Sequence, residues 1–262
     1  MKKTKSNHSK MFIAFVLIAM TLSMQQAFSQ GISMYQYRKV PNDKIQEFIR
    51  RETTYWSEVA QRAVDDGKLQ FWGLFQKMGG YDLDNTSNFL FINTFPDIDN
   101  AGDMWDATKV FPDLPIEAME TFSMSKNTSI IFVKSQQWEQ VENPNPEKDF
   151  RYVKMVYHNA NNPIGLIAAE NEIWAPFIKA AMDEGKTTQK AWGNALILSP
   201  TGEDIKYNTI SFDLYPSFKE ALDPTWDESL EVPDMTKIGE AEGHRRGSVV
   251  YRVIKVVDAN NQ

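Results

Sequence analysis

The chain has 262 residues, no cysteine, 42% hydrophobic and 12% aromatic side chains, and a formal net charge of −7. That is ample for a folded core, and it excludes disulfides, thiolate nucleophiles and thiolate metal ligands. The acidic balance argues against nucleic acid or an anionic membrane surface as a partner.

The first residues form an address. MKKTKSNHSK carries Lys2, Lys3, Lys5 and Lys10 and no acid, an apolar run follows from Met11 to Met24, and Ala27-Phe28-Ser29 supplies small residues before Gln30. This is the order of a secretory signal peptide, expected over 1–29 with the cut after Ser29. The apolar run has 14 residues, short of the roughly 20 that span a bilayer. Without cysteine no lipid anchor forms, so a periplasmic or secreted protein with no membrane partner after cleavage is expected. Beyond residue 29 stand 24 Lys and Arg against 35 Asp and Glu, a net charge of −11.

From Met34 to Val40, MYQYRKV has β-type residues and ends at Pro41-Asn42-Asp43, a stop followed by a helix start. Between Asp43 and Asp66 the apolar residues Ile45, Phe48, Ile49, Trp56, Val59 and Ala63 recur at helical spacing, and Gly67 caps the helix. LQFWGLFQK is a strand, GGYDLDNTSN a polar loop, and FLFINTF a strand stopped by Pro96. Ile98 to Thr108 is expected as a short helix and SIIFVKS as a last strand. Asn85 and Asn127, each opening an Asn-x-Ser triplet, are expected in loops. The order is β-α-β-β-α-β, the ferredoxin-like split βαβ unit.

The same text then returns. Trp56 meets Trp174 at a shift of 118, with Glu52 on Glu170 and Gly67-Lys68 on Gly185-Lys186. At a shift of 120, Trp72-Gly73 meets Trp192-Gly193 and Phe95-Pro96 meets Tyr215-Pro216, and Trp105 falls near Trp226. Tyr35-Gln36-Tyr37 is placed on Val153-Lys154-Met155, which sets His158 against Val40. Two homologous units are therefore expected, 32–138 and 150–258, joined by a linker over 139–149 that contains ENPNPEKD. A four-stranded sheet with helices on one face leaves the other bare, and two such sheets can cover each other.

The pattern resembles the dimeric α+β-barrel superfamily in a tandem, pseudo-dimeric form. The residues that carry the resemblance are E-x-x-x-W at Glu52–Trp56 and Glu170–Trp174, G-K at 67–68 and 185–186, and W-G at 72–73 and 192–193. The resemblance implies two ferredoxin-like units packed sheet to sheet. The superfamily includes cofactor-free monooxygenases, haem enzymes such as chlorite dismutases and stress-responsive barrel proteins, so it implies no single activity. A monomeric pseudo-dimer and a homodimer of pseudo-dimers both fit.

Glu52 and Glu170 fall on the apolar helical stripe. A carboxylate there is either a pocket acid with a raised pKa, able to act as a base, or a structural group bonded to a strand Tyr, an Arg or a backbone N–H. Trp56, Trp72, Trp174 and Trp192, with Tyr37, are either core filler or an aromatic wall for a planar ligand. His158 beside Tyr157 is a proton shuttle or axial ligand, or else a solvent-exposed strand end. His244 with Arg245 and Arg246 either binds a ligand carboxylate or phosphate or balances an acidic surface. No histidine pair has zinc spacing, Asp82-Leu83-Asp84-Asn85 lacks further calcium ligands, and no dinucleotide, P-loop or G-x-S-x-G motif occurs. No metal and no cofactor is expected. The sequence reads as an exported α+β barrel binding a small, largely apolar or aromatic molecule between sheet and helices. The alternatives are a cofactor-free monooxygenase-like enzyme on an aromatic substrate and a haem enzyme of the chlorite-dismutase kind. No histidine on an expected helix supports the haem reading.

Overall fold

The computed structural model describes residues 31–79, 86–202 and 205–259, apart from the side chains of residues 244–246. The expected signal segment and the Asp82–Asn85 loop lie outside these residues. The first half runs β1 (Ile32–Lys39), α1 (Ile45–Arg51), α2 (Ser57–Asp65), β2 (Phe71–Lys77), β3 (Phe89–Phe95), α3 (Ile116–Met119) and β4 (Lys126–Gln140). A short helix α4 (Pro146–Asp149) leads into β5 (Tyr152–Asn159), α5 (Pro163–Ala169), α6 (Ala175–Asp183), β6 (Ala191–Ser199), β7 (Thr209–Tyr215), α7 (Phe218–Leu222), α8 (Thr236–Glu242) and β8 (His244–Asp258).

The strands close into one antiparallel barrel in the order β1-β3-β2-β8-β5-β7-β6-β4. Each half keeps the ferredoxin-like order, with its last strand beside its first. The last strands, each of 15 residues, then cross over: β4 also pairs β6 and β8 also pairs β2. These two seams leave no open sheet edge, which removes the usual site of edge-to-edge association.

Strand alternation sorts the side chains. Tyr37, Phe75, Leu90 and Ile131 of the first half meet Met155, Tyr157, Ile210 and Phe212 of the second inside the barrel. Their neighbours in the chain point outward into helix layers: Trp72, Leu74, Phe89 and Phe91 pack under α1 and α2. The W-G pairs follow from this. Each Trp faces its helices, and each Gly faces a barrel interior too full for a side chain. A Cβ on Gly73 would stand 2.6 Å from the Phe75 ring, and one on Gly193 2.5 Å from the Phe212 ring. Tyr37 and Tyr157 touch hydroxyl to hydroxyl at 3.1 Å.

The registers correct the expected alignment of the first strands. Arg38 pairs with Phe89 and His158 with Thr209, while the Asn88 side chain bonds both backbone groups of Val40 and Asn208 does the same for Ala160. The strands therefore superpose at a shift of 120. The counterpart of His158 is Arg38, not Val40, and that of Tyr157 is Tyr37.

The helix expected over Ile98–Thr108 is absent as a continuous element. Two 3₁₀ turns, Ile98–Asn100 and Ala107–Lys109, are capped by the Asp97 and Asp106 side chains. Gly102 between them has φ +53, a left-handed conformation that a right-handed helix does not continue through. Asn127, expected in a loop, belongs to β4. The long helix of each half is interrupted at one place, by a π turn over Glu52–Trp56 and over Glu170–Trp174. Gly67 and Gly185, at φ +69 and +67, end these helices as expected. No helix among the described residues is long and apolar enough to cross a membrane.

Candidate functional site

Both inward carboxylates sit on the first residue of a π turn, an irregularity that recurs at functional sites. In the first half Glu52, 3% exposed, accepts a 2.6 Å hydrogen bond from the Thr121 hydroxyl and lies 3.8 Å from the Arg38 guanidinium. Arg38 is itself held between the rings of Phe91 and Phe122. Burial pushes the Glu52 carboxyl up to about 7, against the opposing pull of the Thr121 hydrogen bond and the Arg38 charge. The surroundings are apolar, with Phe48 against Phe89 and Phe91, and Leu74 and Met124 in the same cluster.

In the second half Glu170 accepts a 2.8 Å bond from Asn194 Nδ2, which also donates to Asn171. Burial raises this carboxyl to about 7 as well; the Asn194 bond works against the shift, and the charges of Glu242 and Asp213 add to it. His158 is buried, which overturns its reading as a solvent-exposed strand end. Its Nδ1 meets Glu242 Oε1 at 2.8 Å and its Nε2 meets Ser211 Oγ at 2.8 Å. Ser211 is the cross-strand partner of Asn194, so one outward face carries Asn194, Ser211, Thr209 and His158 side by side. Asn194 Oδ1 and Thr209 Oγ1 are buried there without a hydrogen-bond partner.

The two halves differ most at this layer. By the registers, Asn194, Thr209, Ser211 and His158 occupy the places of Leu74, Phe89, Phe91 and Arg38. A groove of about 470 Å³ opens beside this layer, lined by Gln137 and Glu139 of β4, Asn171, and Ala175, Lys179 and Asp183 of α6. Gln137 is the cross-strand partner of Asn194, and Asn171 bonds it directly, so the groove adjoins the polar face.

The aromatic candidates do not converge. Trp56 is buried under α3, donating its N–H to Met119 O at 2.9 Å, and Trp72 lies in the first helix layer. Trp192 packs on Ala175, which also lines the groove, while partly exposed Trp174 forms a surface cluster with Phe177 and Trp226. Tyr37 is inside the barrel, as is Tyr157, on the opposite sheet face from His158. His244 and Arg245 stand opposite Asn159 and His158 across β5 and β8. No group of three or more His, Asp or Glu among the described residues is placed to hold a metal ion. Asn194, Thr209, Ser211 and Glu242 were not among the expected site residues. The signal that finds them is a polar residue in the second copy where the first has an apolar one.

No protein-family model matches the sequence, and no characterised protein matches it by sequence. Solved structures do match the fold. A monooxygenase-like protein of Lactobacillus acidophilus NCFM superposes with a TM-score of 0.50 at 11% identity, over 87% of this chain and 95% of its own. An anthrone oxidase-like protein gives 0.51 at 12% identity, over 88% and 94%. A mutant chlorite dismutase from Candidatus Nitrospira defluvii gives 0.49 at 7% identity, over 87% and 92%. With the closed eight-stranded barrel, the first two likenesses show that the chain shares their α+β-barrel fold, with both halves of the barrel in one polypeptide.

Proposed function

We propose that the chain binds a small molecule in the sheet–helix layer of its second half, beneath Glu170–Trp174, with Glu170 as the proton acceptor for that ligand. One observation carries this reading. The same fold is built twice, and only the second copy places Asn194, Thr209, Ser211 and His158, with Glu242 on the histidine, where the first has Leu74, Phe89, Phe91 and Arg38. Burying polar groups destabilises a layer that apolar side chains could fill, and two of these atoms lack partners. A ligand entering by the groove would supply those partners. A carboxyl titrating at about 7 is poised between acid and base near neutrality. The ligand is thus an aromatic or apolar body, with Trp192 nearby, carrying at least one hydrogen-bonding group.

The test uses residues 30–262, secreted through their own signal segment and examined together by native mass spectrometry and absorption spectroscopy. A retained molecule that Glu170→Gln loses and Glu52→Gln keeps is the expected result. A protein that is empty, and that saturates with no hydroxylated aromatic compound, refutes the reading.

A second reading is a cofactor-free oxygenase acting on an electron-rich aromatic substrate. It is supported by the descriptions of two solved structures of this fold as monooxygenase-like and anthrone oxidase-like. Oxygen uptake with quinol-like substrates, lost in Glu170→Gln, tests it. A haem reading does not fit the described residues: His158 lies on a strand, and Glu242 and Ser211 engage both its nitrogens. Export is supported by the order of charges, apolar run and small residues at 1–29.

A further inference from the structure

We infer that Ser211, His158 and Glu242 form a nucleophilic relay, and that the second-half layer carries a serine able to attack small acyl and sulfonyl electrophiles. A serine hydroxyl is a weak nucleophile unless a base takes its proton, and a histidine serves best when a carboxylate fixes its tautomer. Both contacts are present at 2.8 Å: Ser211 Oγ on His158 Nε2, and His158 Nδ1 on Glu242 Oε1. With Glu242 holding the Nδ1 proton, Nε2 is left as the acceptor for the hydroxyl proton.

Three further observations favour a working arrangement over a structural one. The fold does not require it, because Phe91 and Arg38 stand in the places of Ser211 and His158 in the first half and pack against each other there. The trio also joins three separate elements, β7, β5 and the last residue of α8, and the chain turns sharply after Glu242 at Gly243, φ +68. A Cβ on Gly243 would stand 2.7 Å from the Asn161 side chain, so the turn that presents Glu242 depends on a glycine. Finally, Thr209, two residues from Ser211 on the same face, has a buried hydroxyl with no partner. Such a hydroxyl can donate to the oxyanion that forms when a carbonyl is attacked.

The chemistry balances without a cofactor. The Ser211 Oγ–acyl bond forms as the bond to the leaving alcohol breaks, and the serine proton passes through His158 to that alcohol. Water then attacks the acyl-serine, giving its proton to His158; the Oγ–acyl bond breaks, the acid is released, and His158 returns the proton to Ser211 Oγ. With a sulfonyl fluoride, the Oγ–sulfur bond forms, fluoride leaves, and the adduct persists.

The inference rests on the second-half layer being open to small molecules, as proposed above. The protein of residues 30–262 is treated with phenylmethanesulfonyl fluoride, and the adduct is located by peptide mass spectrometry. One adduct on Ser211 is expected, absent in Ser211→Ala. In His158→Gln, checked for folding by circular dichroism, labelling slows on the order of 100-fold, the lower range for general base catalysis. Hydrolysis of p-nitrophenyl acetate is expected to fall in parallel. No adduct on Ser211, or equal labelling in His158→Gln, overturns the relay. If a small molecule is nevertheless retained, the binding reading stands and only the nucleophile fails; if neither occurs, both fail.

Discussion

The two buried glutamates make a prediction that runs against the usual acid lability of proteins. Burial raises each carboxyl from an ordinary 4.5 to about 7. Below 4.5 the folded and unfolded chains both hold the proton. Between 4.5 and 7 the unfolded chain releases it while the folded chain keeps it, so stability falls as pH rises and the loss is complete above about 7. A shift of that size corresponds to about 3 kcal/mol for each carboxyl. Glu52 and Glu170 are 3% and 7% exposed, so solvent screening takes little from that figure. At about 2–4 °C per kcal/mol for a chain of this length, lowering the pH from 8 to 5 raises the melting temperature by about 6–12 °C per carboxyl. Glu47 and Asp103, held at about 2 by Arg50 and Lys109, lose their pairing only at lower pH, outside this window. The assay is a thermal melt across pH 5–8 of the wild type, Glu52→Gln and Glu170→Gln. Each substitution is expected to remove about half the slope and to match the wild type most closely near pH 5. A wild-type melting temperature that does not rise on acidification, or a slope unchanged in both variants, refutes the reasoning.

Other perturbations test the asymmetry and the packing. Thr209→Val removes a buried hydroxyl that lacks a partner while keeping the side chain's shape, so the ligand-free protein gains about 1–3 kcal/mol in urea unfolding while ligand retention is weakened. Trp56→Phe loses the indole bond to Met119 O and part of its packing, a loss of about 2 kcal/mol with an unchanged denaturant slope. Gly193→Ala pushes a methyl against the Phe212 ring and the Gln137 carbonyl, whereas Gly73→Ala meets only Phe71 and Phe75 side-chain atoms. Overpacking then costs about 1–3 kcal/mol at Gly193, and comparative melts should show the smaller loss at Gly73, where rings can give way.

Much of the fold was legible because large side chains at fixed offsets survive duplication. The Trp pairs and the two W-G steps located the strands and helices of both halves, and the glycine caps closed the helices where expected. The first strands were misaligned for a physical reason. Alternation has a period of two, so sliding Tyr35-Gln36-Tyr37 by two residues keeps every side chain on its face, and hydrophobicity cannot detect the slip. The cross-strand pairing of β1 with β3 and of β5 with β7 fixes the register, and the hydrogen bonds of Asn88 and Asn208 to the strand ends mark it. That slip hid the replacement of Arg38 by His158. The partners of His158 were hidden differently: Ser211 and Glu242 are 53 and 84 residues away in the chain, and no local spacing links them. The helix expected at Ile98 failed because Asp97 and Asp106 cap short turns on either side of a left-handed glycine.

The retention of both glutamates, read against the divergence around them, assigns different work to the two halves. A carboxyl on a π turn is present in both copies, so it belongs to what the halves share. In the first copy it is answered from within: a threonine hydroxyl donates to it, an arginine lies close by, and aromatic rings seal that arginine. In the second copy an asparagine amide answers it, two acids nearby oppose its charge, and the adjoining face keeps buried polar atoms without partners. Around its carboxyl the first arrangement is closed, by Thr121, Arg38 and the rings of Phe91 and Phe122, although Asn93 Oδ1 and Gln70 Oε1 elsewhere in that half are also buried without a partner. The second is incomplete in the free chain, and it lies beside the groove. Duplication makes this division possible: one half can hold the barrel shut with an apolar layer while its twin gives up stability to keep a polar one.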